Sequence, residues 1–321
     1  MATRRTLFTL FWASTLFLNL DTGVIPTAQL EMIKDLDISQ GQIAFLAGIS
    51  YMGTGVASLF VSLTMKHITA KTILILACFG NAISCFVFAY NDRYLWLVLS
   101  RFVLGVFQAF FFSYAPVWIN HFAPRSKQAT WLSLQQIFSV VGITCGYIVG
   151  SIATDWQGTW VEEYFDWHTA FASQGFAMCI IGLLFCFFDN SSIDILRTGE
   201  MDKPIGGGKS AATSPKNTLS YRSQEEIEKE YSFLDQIPLL GEVSTLLSNG
   251  LYVLITATIT TLFFSATGLQ FWTLSYFIQI LHVEPLHAQI AFVFVCISAP
   301  IPGAIVGSTI SDSYVSIAGL F

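Results

Sequence analysis

Tyr94–Pro124 reads YLWLVLSRFVLGVFQAFFFSYAPVWINHFAP, an apolar run long enough to cross a bilayer, with one full charge, Arg101, set inside it. A spanning helix needs about 20 mostly apolar residues, and an ionisable side chain at its centre costs about 2.5–3.5 kcal/mol on insertion scales. Such residues face a bundle interior and are paired. Arg101 therefore predicts a membrane protein and a buried partner.

The rest of the chain agrees. Of its 321 residues 54% are hydrophobic and 11% charged, which excludes a water-soluble globular domain. Further apolar segments fall at about 6–28, 42–65, 72–90, 130–154, 170–188, 250–281 and 288–310, so an all-α integral membrane protein of eight helices is expected. No period-2 alternation suggests a barrel. The net charge of -6 is spread over the loops, and no basic stretch points to nucleic acid. All six cysteines lie in apolar segments and read as small hydrophobes. None of the five histidines has metal-ligand spacing, and no catalytic constellation can be placed at one depth, so neither an enzyme nor a cofactor is predicted. The basic start, MATRRTLFTLFWASTLFL, lacks a small-residue cleavage site and reads as a retained first helix.

Arg4, Arg5, Lys66, Lys71, Arg125 and Lys127 flank one set of helix ends, whereas Glu31, Asp35, Asp37, Asp92, Asp155, Glu162, Glu163 and Asp166 flank the other. The positive-inside rule puts the N terminus in the cytosol. Plasma-membrane and endolysosomal locations both fit the sequence. Three parts follow: a six-helix membrane half at 1–188, a cytosolic linker at 189–248 rich in Gly, Ser, Lys and Glu, and a partial second half at 249–321. Within the linker, Ser223-Gln-Glu-Glu226 has the form of a capping box before an amphipathic helix. Hydrophobic residues are resuming where the chain stops at Phe321, so the reading is a piece of a twelve-helix protein.

Candidate functional residues come from depth and periodicity. Asp21 lies about seven residues before the outer end of the first helix and Arg101 about seven after the outer start of the fourth, which puts them at one depth. Their pairing serves either proton or substrate-charge coupling or static helix packing. Arg101, Gly105, Gln108 and Phe112 share a face of the fourth helix; Gln108 either binds solute or bonds a neighbouring helix. Pro116 lies near the inner end of that helix, where it is expected to open the backbone. Gly142, Gly146 and Gly150 make a close-packing face on the fifth. Thr258, Thr261, Ser265, Gly268, Trp272, Ser275 and Gln279 form a polar stripe on the seventh, which faces either another helix or a cavity that with Tyr276 and Phe112 would be amphipathic and aromatic.

The run RFVLGVFQAFFFSYAPVWINHFAP is similar to the fourth helix of the major facilitator superfamily, and more closely to its spinster-like branch, through Arg101, Gly105, Gln108, Ala109, Ala115 and Pro116. Asp21-Thr-Gly, Asp166-Trp-His-Thr-Ala-Phe171 and GLQFWTLSYF at Gly268–Phe277 extend the resemblance. Gln108 stands where the branch usually has glutamate, so coupling carried there would be lost and Asp21 becomes the stronger proton site. The basic gate motif after the second helix is missing, with Ser62 and Lys66 in its Gly and Asp positions; its counterpart survives as Gly307-Ser-Thr-Ile-Ser-Asp312. The resemblance implies a major facilitator-type helix bundle and alternating-access transport of a small amphipathic or lipid-like solute, with membrane lipids and protons as further partners. The alternative is a non-transporting membrane binding or assembly protein that keeps the scaffold.

Overall fold

The computed structural model describes residues 2–155, 166–195 and 238–318. Among them are helices α1 (Ala2–Leu18), α2 (Leu20–Asp35), α3 (Gln40–His67), α4 (Ala70–Ala89), α5 (Tyr94–Phe122), α6 (Gln128–Asp155), α7 (Trp167–Cys186), α8 (Asn190–Ile193), α9 (Pro238–Ser248), α10 (Gly250–Gln279), α11 (Pro285–Ser298) and α12 (Pro300–Ala318). They supply eight segments long and apolar enough to span a membrane, the first from α1 with α2 and the last from α11 with α12. The expected all-helical architecture is present. The predicted capping box at Ser223–Glu226 and the acidic residues Glu162 and Glu163 lie outside the described residues.

The chain divides into two compact units, one of residues 1–203 with 274–321 and one of residues 204–273. In the second unit α9 meets α10 at Asn249, whose side-chain carbonyl accepts the N–H groups of Leu251 (3.1 Å) and Tyr252 (3.3 Å) and so caps α10. In the first unit α3 packs along α5, α4 against α5 and α7, and α2 along α6. Its core is aromatic: the Phe11 ring lies 4.9 Å from Trp118 and 5.6 Å from Phe185.

Local chemistry sets the helix ends. Ser39 with Gln42, and Asp166 with Thr169, form reciprocal capping boxes at the starts of α3 and α7. The first span breaks because Asn19 donates its side-chain amide to the Thr15 carbonyl at 2.7 Å, competing with the helical backbone. The last span breaks at Ala299, where Pro300 has no N–H to continue the ladder. Pro116, expected to open α5, lies within an uninterrupted helix.

The glycine face of α6 brings two backbones together. A Cβ at Gly146 would stand 2.0 Å from the Leu20 carbonyl oxygen, and one at Gly23 would stand 2.0 Å from that of Ile143. Only hydrogen fits there. The residues after α7 are also held: Lys71 Nζ donates to the Phe188 carbonyl (2.6 Å), Trp118 Nε1 to that of Ser192 (3.1 Å), and the Ala70 N–H to Asp194 (3.3 Å). Tyr114 donates to the carbonyl of Ile193, which is fully buried.

Gly146→Ala should lower stability by about 1–3 kcal/mol through overpacking. Gly48→Ala, whose Cβ would meet nothing within 4 Å, should raise it by about 0.5–1 kcal/mol by stiffening the unfolded chain. Melting temperatures in detergent check both. A second expectation concerns Asp166. Partial burial raises its carboxyl, but the Thr169 N–H, the His168 ring and the Thr169 hydroxyl outweigh burial and hold it below the ordinary carboxylate range. A folded-state value below the unfolded one means that stability is present above about pH 4 and is lost as pH falls through the folded-state value. Asp166→Asn keeps a capping side chain and removes this titration. Its melting temperature should fall less steeply than that of the unmutated protein between about pH 5 and pH 3.

Candidate functional site

The Tyr94–Phe122 helix carries Arg101 into the middle of the first unit, where its Nη1 donates to Asp21 Oδ2 of α2. Asp21 is 1% and Arg101 2% exposed. Arg101 also donates from Nη2 to Ser50 Oγ and from Nε to the Leu46 carbonyl, both at 3.4 Å. Its guanidinium stands 5.7 Å from the centroid of the Phe88 ring. Gln174 of α7 donates to the second Asp21 oxygen at 3.4 Å. Five helices, α2, α3, α4, α5 and α7, thus converge on one pair of opposite charges in a dry interior. Desolvating two ions costs several kcal/mol each, and their attraction offsets this only when further hydrogen bonds satisfy both partners, which is the role of Ser50, Leu46 and Gln174 here.

Gln108 lies two turns along the same helix and is also buried, yet it takes no part in this pair. Its Nε2 donates to the Leu18 carbonyl at 2.7 Å, where α1 ends. Carbonyls in the last turn of a helix lack donors within it, and Gln108 supplies one from α5. A glutamate carboxylate could not donate here, which gives the amide at this position a physical reason. On the other side of α1, Gln135 of α6 bonds the Thr15 hydroxyl, and Trp12 stacks on Phe138 with centroids 4.9 Å apart.

Two further polar contacts bring the last described segments against α2 and α6. Asp312 of α12 accepts the N–H groups of Ala129 and Thr130, each at 3.0 Å, and the Thr130 hydroxyl. It is a cap for the start of α6 supplied from far along the chain, with a negative charge at the positive end of a helix. At the opposite end of α6's neighbour α2, the Ser275 hydroxyl donates to Gln29 Oε1 at 2.9 Å, with both side chains buried. Gln40 Nε2 lies 3.4 Å from Gln279 Oε1.

The structure therefore joins Asp21 and Arg101, sets Gln108 on the break in the first span, and makes Asp312 a helix cap. Ser275 and Gln279 of the predicted polar stripe make contacts, and Tyr276 is half exposed. Thr261, Ser265 and Trp272 belong to the second unit, where Thr261 donates to the Ala257 carbonyl at 2.9 Å and Trp272 is 44% exposed. Gln29, Gln135 and Gln174 escaped the sequence reading, although Gln135 and Gln174 are amides inside apolar segments, the signal that singled out Gln108. Among the described residues no group of three or more His, Cys, Asp or Glu side chains could hold a metal.

A family model described as Major Facilitator Superfamily matches residues 10–320. The chain is 28% identical over 139 residues to Putative polyol transporter 2 of Arabidopsis thaliana, covering 42% of this chain and 26% of that protein. It is 21% identical over 216 residues to the D-xylose transporter of Levilactobacillus brevis, covering 67% and 44%. Probable sphingolipid transporter spinster homolog 3 of Arabidopsis thaliana is 28% identical over 165 residues, covering 51% and 28%. The chain spans less than half the length of each of these relatives. Among solved structures, the partially occluded inward-open xylose transporter XylE from E. coli has a TM-score of 0.53 at 14% identity, covering 99% of this chain and 72% of that one, a likeness of fold alone.

Removing one member of a buried ion pair strands the other charge, at a cost of about 3–5 kcal/mol. Asp21→Asn and Arg101→Met should each lower the melting temperature sharply, while the double substitution should recover part of the loss. A double mutant as unstable as the sum of the singles would show that the two side chains do not interact.

Proposed function

The chain belongs to the Major Facilitator Superfamily, a family of membrane transporters rather than enzymes, and from that premise we propose that it serves proton-linked secondary transport of a small neutral, hydroxyl-rich solute by alternating access. The observation that carries the coupling is the dry Asp21–Arg101 pair. Protonation turns the Asp21 carboxylate into a neutral carboxyl and leaves the Arg101 cation held by Ser50, Leu46 and the Phe88 face alone. The site then changes from net zero to one positive charge, and the coupling rests on that change. On this reading the proton is exchanged in a state in which the bundle opens and water reaches the pair.

Alternating access needs contacts that break at one end while holding at the other. On the topology read from the loops, Asp312 at the start of α6 is a cytosolic latch, and Gln29 with Ser275 is a latch at the outer end. The first joins a charge to a helix dipole, and the second is neutral. Sugar or polyol cargo is favoured by the names of the relatives, several of which are polyol transporters or a xylose transporter. A second reading, an amphipathic or lipid-like cargo, is supported by the similarity to a spinster homolog and by the half-exposed Trp272 and Tyr276 rings.

Uptake by the reconstituted protein tests these readings together. Xylose, mannitol and sphingosine are offered to proteoliposomes with and without an inward proton gradient. The proposal expects gradient-driven accumulation of the sugar or the polyol. Asp21→Asn should abolish the accumulation but keep exchange of labelled for unlabelled solute. Gradient-driven sphingosine movement alone would select the lipid-like reading, and no movement of any solute would leave the scaffold without transport.

A further inference from the structure

Toward the outer end on the proposed topology, α6 and α11 flank a groove of about 520 Å³, inside the range of about 300–1,000 Å³ in which pockets hold single ligand-sized molecules. Its walls are Ile148 and Ile152 from α6 and Ile290, Val293 and Phe294 from α11, with no charged side chain among them. The Tyr147 and Phe292 rings, 4.7 Å apart, join the two helices beside it.

Gln289, Ser151 and Ser298 are the polar side chains in the lining. Gln289 is 4% exposed, lines the groove, and has a side-chain carbonyl oxygen with no hydrogen-bond partner. The two serines at the groove offer it no proton: Ser151 donates back to the Tyr147 carbonyl at 2.7 Å and Ser298 to that of Val295 at 3.4 Å. Buried amide oxygens in native proteins almost always find a donor. What fits is an apolar body that carries one hydrogen-bond donor.

We propose that the groove binds an uncharged membrane lipid of sterol type, whose single hydroxyl donates to Gln289 while its ring body lies against Ile152, Ile290 and Phe294. Register supports the fit. Gln289 is roughly 6 Å along α11 from Pro285, near the membrane surface, and Ser298 is roughly 14 Å deeper, at 1.5 Å of rise per residue. A headgroup at the interface and a rigid body directed inward match that span. Phosphate or ammonium headgroups find no counter-charge in the lining. A further consequence rests on the alternating-access reading, although binding itself does not. A ligand that touches both α6 and α11 binds best while they are apposed, and so favours that state by its difference in affinity.

The test uses the full chain in phosphatidylcholine nanodiscs containing a diazirine-bearing photoreactive cholesterol, with adducts mapped by mass spectrometry. Saturable adducts are expected at 148–152 and 286–298. Cholesterol should displace them at about fivefold lower concentration than cholest-4-en-3-one, which keeps the rings and lacks the donor. Gln289→Leu, close to isosteric, should erase that difference, and Val293→Trp should fill the groove and remove the adducts, with both variants first shown to be monodisperse. Labelling spread evenly over the membrane-facing helices, equal competition by the ketone, or no adducts at the groove would each overturn the proposal. Labelling does not require transport, so its loss with solute uptake intact removes the lipid site alone, and the reverse result removes the transport reading alone.

Discussion

Two opposite charges held out of water at the centre of the bundle set the terms for much of the first unit. Asp21 and Arg101 can be buried only because Ser50, the Leu46 carbonyl, Gln174 and the Phe88 ring surround them, and those groups arrive on α3, α4 and α7. Each of these helices must therefore sit in register with the pair, since a shift of one residue along any of them would turn its contribution away by about 100°. An apolar interior of equal volume would pack as tightly without imposing that condition. The pair makes the arrangement of helices specific as well as stable.

The first span answers a different constraint. It must come close enough to α6 for glycine to meet carbonyl, yet it is broken at Asn19 between two such approaches, Gly142 against Leu16 and Gly146 against Leu20. The break is thus clamped on the α6 side by backbone contact and on the α5 side by the Gln108 amide. A helix interrupted but held on both sides keeps a defined bend. Asp21 lies in the first turn of the second piece, so the ion pair and the bend are mechanically one feature.

Much of this was legible before any coordinates. Arg101 required a partner because charge in hydrocarbon is costly, and equal depth selected Asp21; both steps rest on helix geometry alone. The spacing of Gly142, Gly146 and Gly150 announced a close approach for the same reason. Partners separated by most of the chain were not legible. Asp312 was recognisable as a motif residue, but nothing local says that its carboxylate ends at the Ala129 and Thr130 N–H groups, and nothing in FASQGFA says that Gln174 reaches Asp21. Asn19 showed no breaker signature, since its effect comes from one side-chain bond that a helix interior would normally leave unmade. The start of the polar stretch after α7 read as linker because its composition is polar, whereas the buried Ile193 and Ile195 and the capping Asp194 give those few residues a place in the bundle.

That last feature bears on how the polypeptide is assembled. Chains emerge N-terminus first, and units that can satisfy themselves fold as they appear. With Lys71, Tyr114, Trp118 and the start of α4 all bonded to Cys186–Ile195, these polar groups of α4 and α5 are satisfied by residues that end the sixth span or follow it directly. The start of α6, at the same end, is capped instead by Asp312 of α12. The ribosome has only to clear a short stretch beyond the sixth span for α4 and α5 to be closed at this end, whereas the cap on α6 arrives only with the later helices that are added against them.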